Sequence, residues 1–402
     1  MKKTNIIFKS LGMAAFALSA LTFSSCLGDG DDTIILENGS SLGIPSDNLA
    51  DAAPEVTEPT VTLPNAVCTL VEENGSAVMN IDMTGVWNAN EGDWMNLYGT
   101  AYKGHGQNVW VTVDGKPKGI DVYNNSENEG REILTDVVFL VDNSGSMSEE
   151  AEAIARDMKE WAEMLIKSGL NVRFGCVGYG VHVGANDYSM LIDNYGISGA
   201  LNISEYEVFN EYLNGRSVSG TRRTVGYYGS DSQTLQGLAA LPKYSKAGGE
   251  CGIQALRFAD ENFSFRKGAN RIYVNFTDDA NYHGNSEDLK VSYLKNGAWT
   301  PNKGTIHTVF SGSDSFVLGR AYGDAPWLMS EYTGGSVQKV RSDFSDASLA
   351  TLPVTGALQN SYIIRFTNVE EYMDGQPHEV KVTVVSADGT VKAEKIYWVI
   401  FQ

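Results

Sequence analysis

Between residues 133 and 358 the apolar positions move back and forth between two periods. The run Val137-Val138-Phe139-Leu140-Val141 is unbroken, as in a strand buried on both faces of a parallel sheet. Ile154, Met158, Trp161 and Leu165 then recur at i, i+4, i+7 and i+11, which predicts a helix over 149–168. The same reading predicts strands at Val172–Val177, Ile272–Phe276 and Ile306–Phe310, with helices near 204–213, over 252–265 and over 286–295. Strands alternating with helices predict an α/β domain, doubly wound around a mostly parallel sheet, with ligands bound at the carboxyl ends of the strands.

The flanks follow a shorter period. Ala77–Ile81 and Val109–Val113 are mostly apolar or β-branched, and Asp114-Gly115 follows the second as a turn. Near the other end Tyr362–Phe366, Val380–Val385 and Ile396–Phe401 read as strands, with Asp388-Gly389 as a hairpin turn between the last two. Four strands before the middle and three after it predict one seven-stranded β-sandwich built from both flanks, two separate small modules being the other reading. The expected organisation is a leader at 1–25, an acidic tether at 26–61, sandwich strands at 62–130, the α/β domain at 131–358 and further sandwich strands at 359–402.

Charge and the N-terminus change the picture. With 30 Lys and Arg against 50 Asp and Glu, a formal −20, the chain is too acidic to track a phosphate backbone, and no nucleic-acid partner is expected. Lys2, Lys3 and Lys9 precede the apolar stretch Leu11–Phe23, which is short for a membrane span and ends at Ser24-Ser25-Cys26. This segment resembles a bacterial lipoprotein signal peptide, apart from Phe23 where a smaller or aliphatic residue is usual; a plain secretory peptide is the other reading. The resemblance implies cleavage before Cys26, lipidation of that cysteine and membrane attachment through the lipid alone. The acids at Asp29, Asp31 and Asp32 resemble the export signals of surface lipoproteins in Bacteroidetes-type bacteria, although a plain acidic spacer reads equally well. Together these imply a cell-envelope protein, at the outer membrane and facing the surface. Of the other cysteines, Cys176 is expected buried and free in a core strand, and Cys251 buried and free in a loop; an odd set of three leaves at least one thiol unpaired.

The chemistry is concentrated at one predicted sheet edge. Asp142-Asn143-Ser144-Gly145-Ser146-Met147 closes the first buried strand, and Phe276-Thr277-Asp278-Asp279 closes another. The loop Gly248-Gly249-Glu250-Cys251-Gly252 opens onto the same edge. A carboxylate and two hydroxyls spaced by two are hard oxygen donors, suited to a small divalent cation.

The run DVVFLVDNSGSM from Asp136 to Met147 resembles the first strand and D-x-S-x-S metal-ion-dependent adhesion site of von Willebrand factor type A domains. The likeness covers the middle of the chain, including VRFGCVGYG around Cys176 and the Thr-Gly-Gly before Ser336. It implies metal ligation by Asp142, Ser144, Ser146 and Asp278, with Mg²⁺ first and Mn²⁺ or Ca²⁺ as alternatives. The family's usual threonine falls on Glu250, a departure: this acid could ligate directly, act through water, or lower the charge left for an acidic ligand. Because the family's site leaves metal positions for water or a partner's carboxylate, the metal serves recognition, and no catalytic residue is expected. His283 is the only candidate base by sequence and reads as a polar loop residue; Asp279 reads as an outer acid.

An insertion at 214–247, longer than the family needs, carries Arg222, Arg223, Tyr227 and Tyr228. With Asp279 and His283 it is expected to select the partner, a decorative surface loop being the other reading. The expected function is therefore a lipid-anchored binding or adhesion protein, not an enzyme, that captures a protein or glycan presenting a carboxylate or other oxygen donor. A scaffold subunit of an envelope complex is the alternative, and a metal-dependent hydrolase a remote one.

Overall fold

The computed structural model describes residues 42–402, apart from 89–90, 103–105, 125–133, 149, 169, 181–194, 215–229, 231, 343, 345, 347 and 352. Before the middle of the chain lie β1 (Ala66–Glu73), β2 (Ser76–Met83), β3 (Val109–Val113), β4 (Lys116–Lys118) and β5 (Asp121–Asn124). The middle contributes β6 (Leu134–Asp142), β7 (Asn171–Tyr179), β8 (Ile197–Ser204), β9 (Asn270–Thr277), β10 (Thr305–Phe310) and β11 (Val337–Lys339). β12 (Tyr362–Phe366), β13 (His378–Val385) and β14 (Lys392–Val399) follow. The result is a mixed α/β protein with a largely parallel central sheet and several antiparallel sheets.

The central sheet runs β8-β7-β6-β9-β10-β11, and β8 alone in it is antiparallel to its neighbour. β6 is apolar throughout its centre because both of its faces are covered. Val137, Phe139 and Val141 face one cluster, and Val138 and Leu140 the other. On the first face α1 (Ala151–Lys167) lays down Ile154, Met158, Trp161 and Leu165, the stripe read from the sequence, and α2 (Tyr206–Asn214) adds Phe209 and Leu213. Phe139 sits among Trp161, Phe209 and Phe174, with ring centroids 5.7, 5.4 and 6.5 Å away. The second face is covered by α3 (Gln233–Ala239), α4 (Gly252–Asn262) and α5 (Trp327–Thr333) through Leu235, Leu256 and Met329. Finally α6 (Pro353–Gln359) returns Val354 and Leu358 to the first face.

The helix expected over 286–295 does not form as one piece. Glu287–Leu289 is a 3-10 turn, Lys290 is extended (φ −83°, ψ 148°), Val291–Tyr293 is a single turn, and Gly297 takes φ 103°. Leu289, Val291 and Leu294 are all buried, and residues two apart cannot share a helical face, so core burial there requires a broken path. The helix expected to reach 265 stops at Asn262, because Phe263 turns extended into the core.

The two antiparallel sheets run β1-β2-β12-β5 and β14-β13-β3-β4, each joining early to late strands. Alternate residues (Ile81, Val111, Ile364 and Val382 among them) meet in one apolar cluster. The tight turn Asp114-Gly115 has positive φ at both positions (47° and 77°), the geometry that Asp-Gly supports between twisted strands. β4 escapes the sequence pattern because it is three residues long and contains Pro117.

Part of the stretch read as a solvated tether is docked. Ile44 is fully buried, and Asp47 pairs with Lys118 at 2.5 Å while accepting the Gly119 N–H at 2.9 Å. Lys118 is itself 3% exposed, and a buried ammonium requires such a partner.

Candidate metal centre

At the end of β6 the chain turns through Asn143 and Ser144 into a 3-10 turn, Ser146–Ser148, before α1. The Asn143 N–H donates to the Tyr179 carbonyl (2.8 Å), so the parallel neighbour β7 anchors this turn. Asp142 is 1% exposed. Its Oδ1 accepts the Ser144 N–H at 2.9 Å, and its Oδ2 accepts the Thr277 hydroxyl at 2.8 Å. The Ser144 and Ser146 hydroxyls lie 3.2 Å apart, and Ser146 donates to Asp278 Oδ1 at 3.1 Å. Asp142, Ser144, Ser146 and Asp278 thus form one connected oxygen cluster at the carboxyl ends of β6 and β9. It runs from buried Asp142 to exposed Ser146.

Gly180, just past β7, has φ +87°. A Cβ there would stand 2.9 Å from Asp142 Oδ1 and 3.4 Å from Glu250 Cγ, so glycine leaves the space between the carboxylates open. Backbone bonds place Glu250. Tyr282 N–H donates to the Glu250 carbonyl (2.7 Å), Gly248 N–H to the Tyr282 carbonyl (3.0 Å), and Asn281-Tyr282 pairs with Gly323-Asp324. Three loops are knitted into a platform beside the oxygen cluster.

Electrostatics separate this cluster from an ordinary surface. Burial first, and then the charges of Glu250 and Asp278, push Asp142 well above the usual carboxylate range. Glu250 is raised by burial and by Asp279 and Asp278, against a lowering pull from Arg320. Asp278 is raised by burial, with the Ser146 hydrogen bond opposing. These carboxylates are acids that burial and mutual repulsion leave short of compensating charge.

Among the described residues no three His, Cys, Asp or Glu side chains gather closely enough to hold a metal by themselves. A cation here would therefore depend on the serine hydroxyls as well. The all-oxygen set, the open space over Gly180 and the uncompensated acids fit a hard divalent ion.

Of the other residues singled out in the sequence, Asp279 forms an ion pair with Arg320 (2.7 Å), whose guanidinium lies over Phe316 (4.2 Å) and Tyr282 (5.7 Å). His283 is buried, with Nδ1 2.8 Å from the Gly284 carbonyl. Cys251 and Cys176 are buried and Cys68 is half-buried, and among the described residues none of the three forms a disulfide. Cys26, Arg222, Arg223, Tyr227 and Tyr228 lie outside the described residues. Within the 214–247 insertion the structure places α3, capped by the Ser232 hydroxyl.

Sequence reasoning missed Thr277 and Arg320. Thr277 carried a signal, a hydroxyl one residue before the strand-end acid. Arg320 carried none, since it lies 41 residues from its partner Asp279.

No protein-family model matches the sequence, and no curated protein does. Solved structures that resemble the chain include proximal thread matrix protein 1 from the mussel byssus with a zinc-occupied MIDAS motif. It is 12% identical over 61% of this chain and 49% of that one, with a TM-score of 0.34. Another is the pilus adhesin SpaC from Lactobacillus rhamnosus GG in its open conformation, 11% identical over 87% and 49%, with a TM-score of 0.31. The chain spans about half the length of each. Neither likeness is close enough to bear on what this chain binds.

Proposed function

We propose that the protein is a binding protein of the von Willebrand factor type A kind, which captures an oxygen-donor ligand, above all a carboxylate, through a divalent cation. The observation that carries this reading is the connected cluster of buried Asp142, the Ser144 and Ser146 hydroxyls and Asp278 at one sheet edge. Asp142, Ser144, Ser146 and Asp278 would hold the ion, with Mg²⁺ as the first choice. When bound, the ion supplies a positive charge with positions left for an outside oxygen. Glu250, whose charge bears on Asp142 together with that of Asp278, would add to the hold on the ion directly or through water.

The chain's own residues supply the remainder. Thr277 fixes one Asp142 oxygen, and the Ser144 N–H fixes the other, so the carboxylate is oriented without a metal. On the segment whose Arg320 pairs with Asp279, Phe316, Leu318 and Tyr322 are 53%, 71% and 51% exposed, and Arg320 is stacked on Phe316. Such a surface suits a protein partner whose acidic residue has apolar neighbours. The 214–247 insertion and His283 remain further selectors in this reading. No enzymatic step is proposed.

The decisive experiment is Mg²⁺ titration calorimetry on the wild type and on Asp142→Asn. Measurable binding in the first and none in the second is the expected result; equal affinities would remove the site assignment. The same reading attaches the protein to the cell envelope through lipid on Cys26. Cys26→Ala should then move the protein to the soluble fraction, and a variant that stays with membranes would refute the anchor. Among the described residues no helix is long and apolar enough to cross a membrane.

A further inference from the structure

We propose a second binding site, for an uncharged sugar ring, in the groove where the antiparallel sheets meet the central sheet. The groove has a volume of about 660 Å³, within the range of roughly 300–1,000 Å³ typical of small-ligand sites, which favour such junctions. It opens beside His307, in the amino-terminal half of β10, whereas Asp278 lies past the carboxyl end of β9. The two sites are therefore separate, and this one does not depend on a metal.

Its lining is unusual for so acidic a chain: among the described residues no charged side chain takes part. A charged ligand would enter uncompensated, at a desolvation cost that nothing in the wall offsets. One wall is Trp87, 42% exposed, held edge to face by Trp94 at 5.2 Å and 68°. Trp94 is seated against Gly85 and Gly356; a Cβ at Gly356 would stand 2.2 Å from its Nε1. The aromatic pair is thus preorganised, and Trp87 offers apolar surface at little further ordering cost.

Neutral polar groups complete the site. Thr62, Thr84, Ser336 and Gln359 line the groove, and His307 forms part of its floor. The Nδ1 of His307 accepts the Ser336 N–H at 3.0 Å. Burial holds this imidazole down to about 3, so it is neutral and carries its proton on Nε2, which has no hydrogen-bond partner among the described residues. A pyranose has a C–H face to cover an indole and a belt of uncharged hydroxyls for these donors and acceptors. A flat aromatic ligand would cover Trp87 but leave the polar groups unanswered.

Saturation-transfer NMR with glucose, galactose, mannose and N-acetylglucosamine, each with and without EDTA, tests the proposal. At least one sugar should receive magnetisation, equally in both conditions. Trp87→Ala should weaken that sugar about tenfold, and Trp87→Phe, which keeps an aromatic face, by less. A thermal melt of each variant separates lost binding from lost fold. No transfer to any of the four sugars would overturn the proposal. So would affinity unchanged by Trp87→Ala in a folded variant, or transfer to indole and to none of the sugars.

Discussion

Asp142 shows how a site can be built against local stability. Its carboxyl is buried, raised by that burial and faces two further acids, yet it accepts two hydrogen bonds that would otherwise be unpaired. An unpaired buried donor costs about 1–3 kcal/mol, so truncation to alanine mixes two opposing effects. Asp142→Asn keeps the shape and an acceptor while removing the charge. Without metal its melting temperature should equal or exceed that of the wild type; with Mg²⁺ the order should reverse, because only the wild type gains from ligand binding. Calorimetric melts with and without Mg²⁺ check this, and a metal-free loss of several degrees would contradict it. At Glu250 the expected effect is smaller. A carboxylate beside the ion, bound to it directly or through water, adds attraction for the ion and repels an acidic partner, so Glu250→Thr should weaken Mg²⁺ several-fold and strengthen capture of a carboxylate peptide. If neither quantity moves in titration, Glu250 takes no part.

At the scale of elements, the turns and strand ends hold devices that a residue list conceals. His378 opens β13, its Nδ1 2.7 Å from Asp114 in the β3–β4 turn and its Nε2 3.0 Å from Asp374. The ring also lies against Tyr372 and Phe401 at 5.2 and 5.8 Å. Asp114 first, and then Asp374, raise His378 above its ordinary value of about 6.5. A base whose folded value is raised adds stability that is present below its unfolded value and lost as pH rises through the folded one. Asp114 and Asp374 are lowered, chiefly by the His378 bond and by the Gln376 N–H respectively, so their share is lost as pH falls through the acid range. The melting-temperature gap between wild type and His378→Gln should therefore be widest near about pH 5.5 and narrow towards pH 9. A gap that stays constant with pH would rule this clamp out as a charged device.

The whole molecule is held by contacts between segments far apart in sequence. Asn65, ahead of β1, donates through its side chain to the Gly304 carbonyl (2.7 Å), and Tyr397 of β14 donates to the Pro64 carbonyl (3.0 Å). Beneath the central sheet Arg266 binds Asp136 through Nε (2.6 Å) and the Thr135 carbonyl through Nη2 (2.7 Å), and it also reaches Asn171 at the start of β7. Asp136 is fully buried, and burial raises it despite Arg266. Desolvation commonly offsets the attraction within a buried ion pair, so such a pair adds little net stability, but each half is costly alone. Arg266→Ala should cost about 3–5 kcal/mol in denaturant unfolding, and the double variant Arg266→Met/Asp136→Leu should recover most of it. A double variant as weak as the single would show that the pair itself stabilises the fold.

What the sequence by itself determined is what period and spacing encode. The buried run at 137–141 and the stripe at Ile154, Met158, Trp161 and Leu165 became β6 and α1, because a residue's face follows from its position in a regular element. The Asp142, Ser144 and Ser146 donors were legible for the same reason, since they share one turn. Tertiary structure alone decided the pairings. Val113 lies opposite Val380 and Met83 opposite Tyr362, far apart in sequence, and no local pattern specifies such partners. It also decided that Arg320 pairs with Asp279, that Ile44 and Asp47 dock within an acidic stretch, and that Leu289, Val291 and Leu294 break a helix to reach the core. In each of these cases the cost of leaving a charge or an apolar side chain uncompensated is met by a neighbour that only the folded chain supplies.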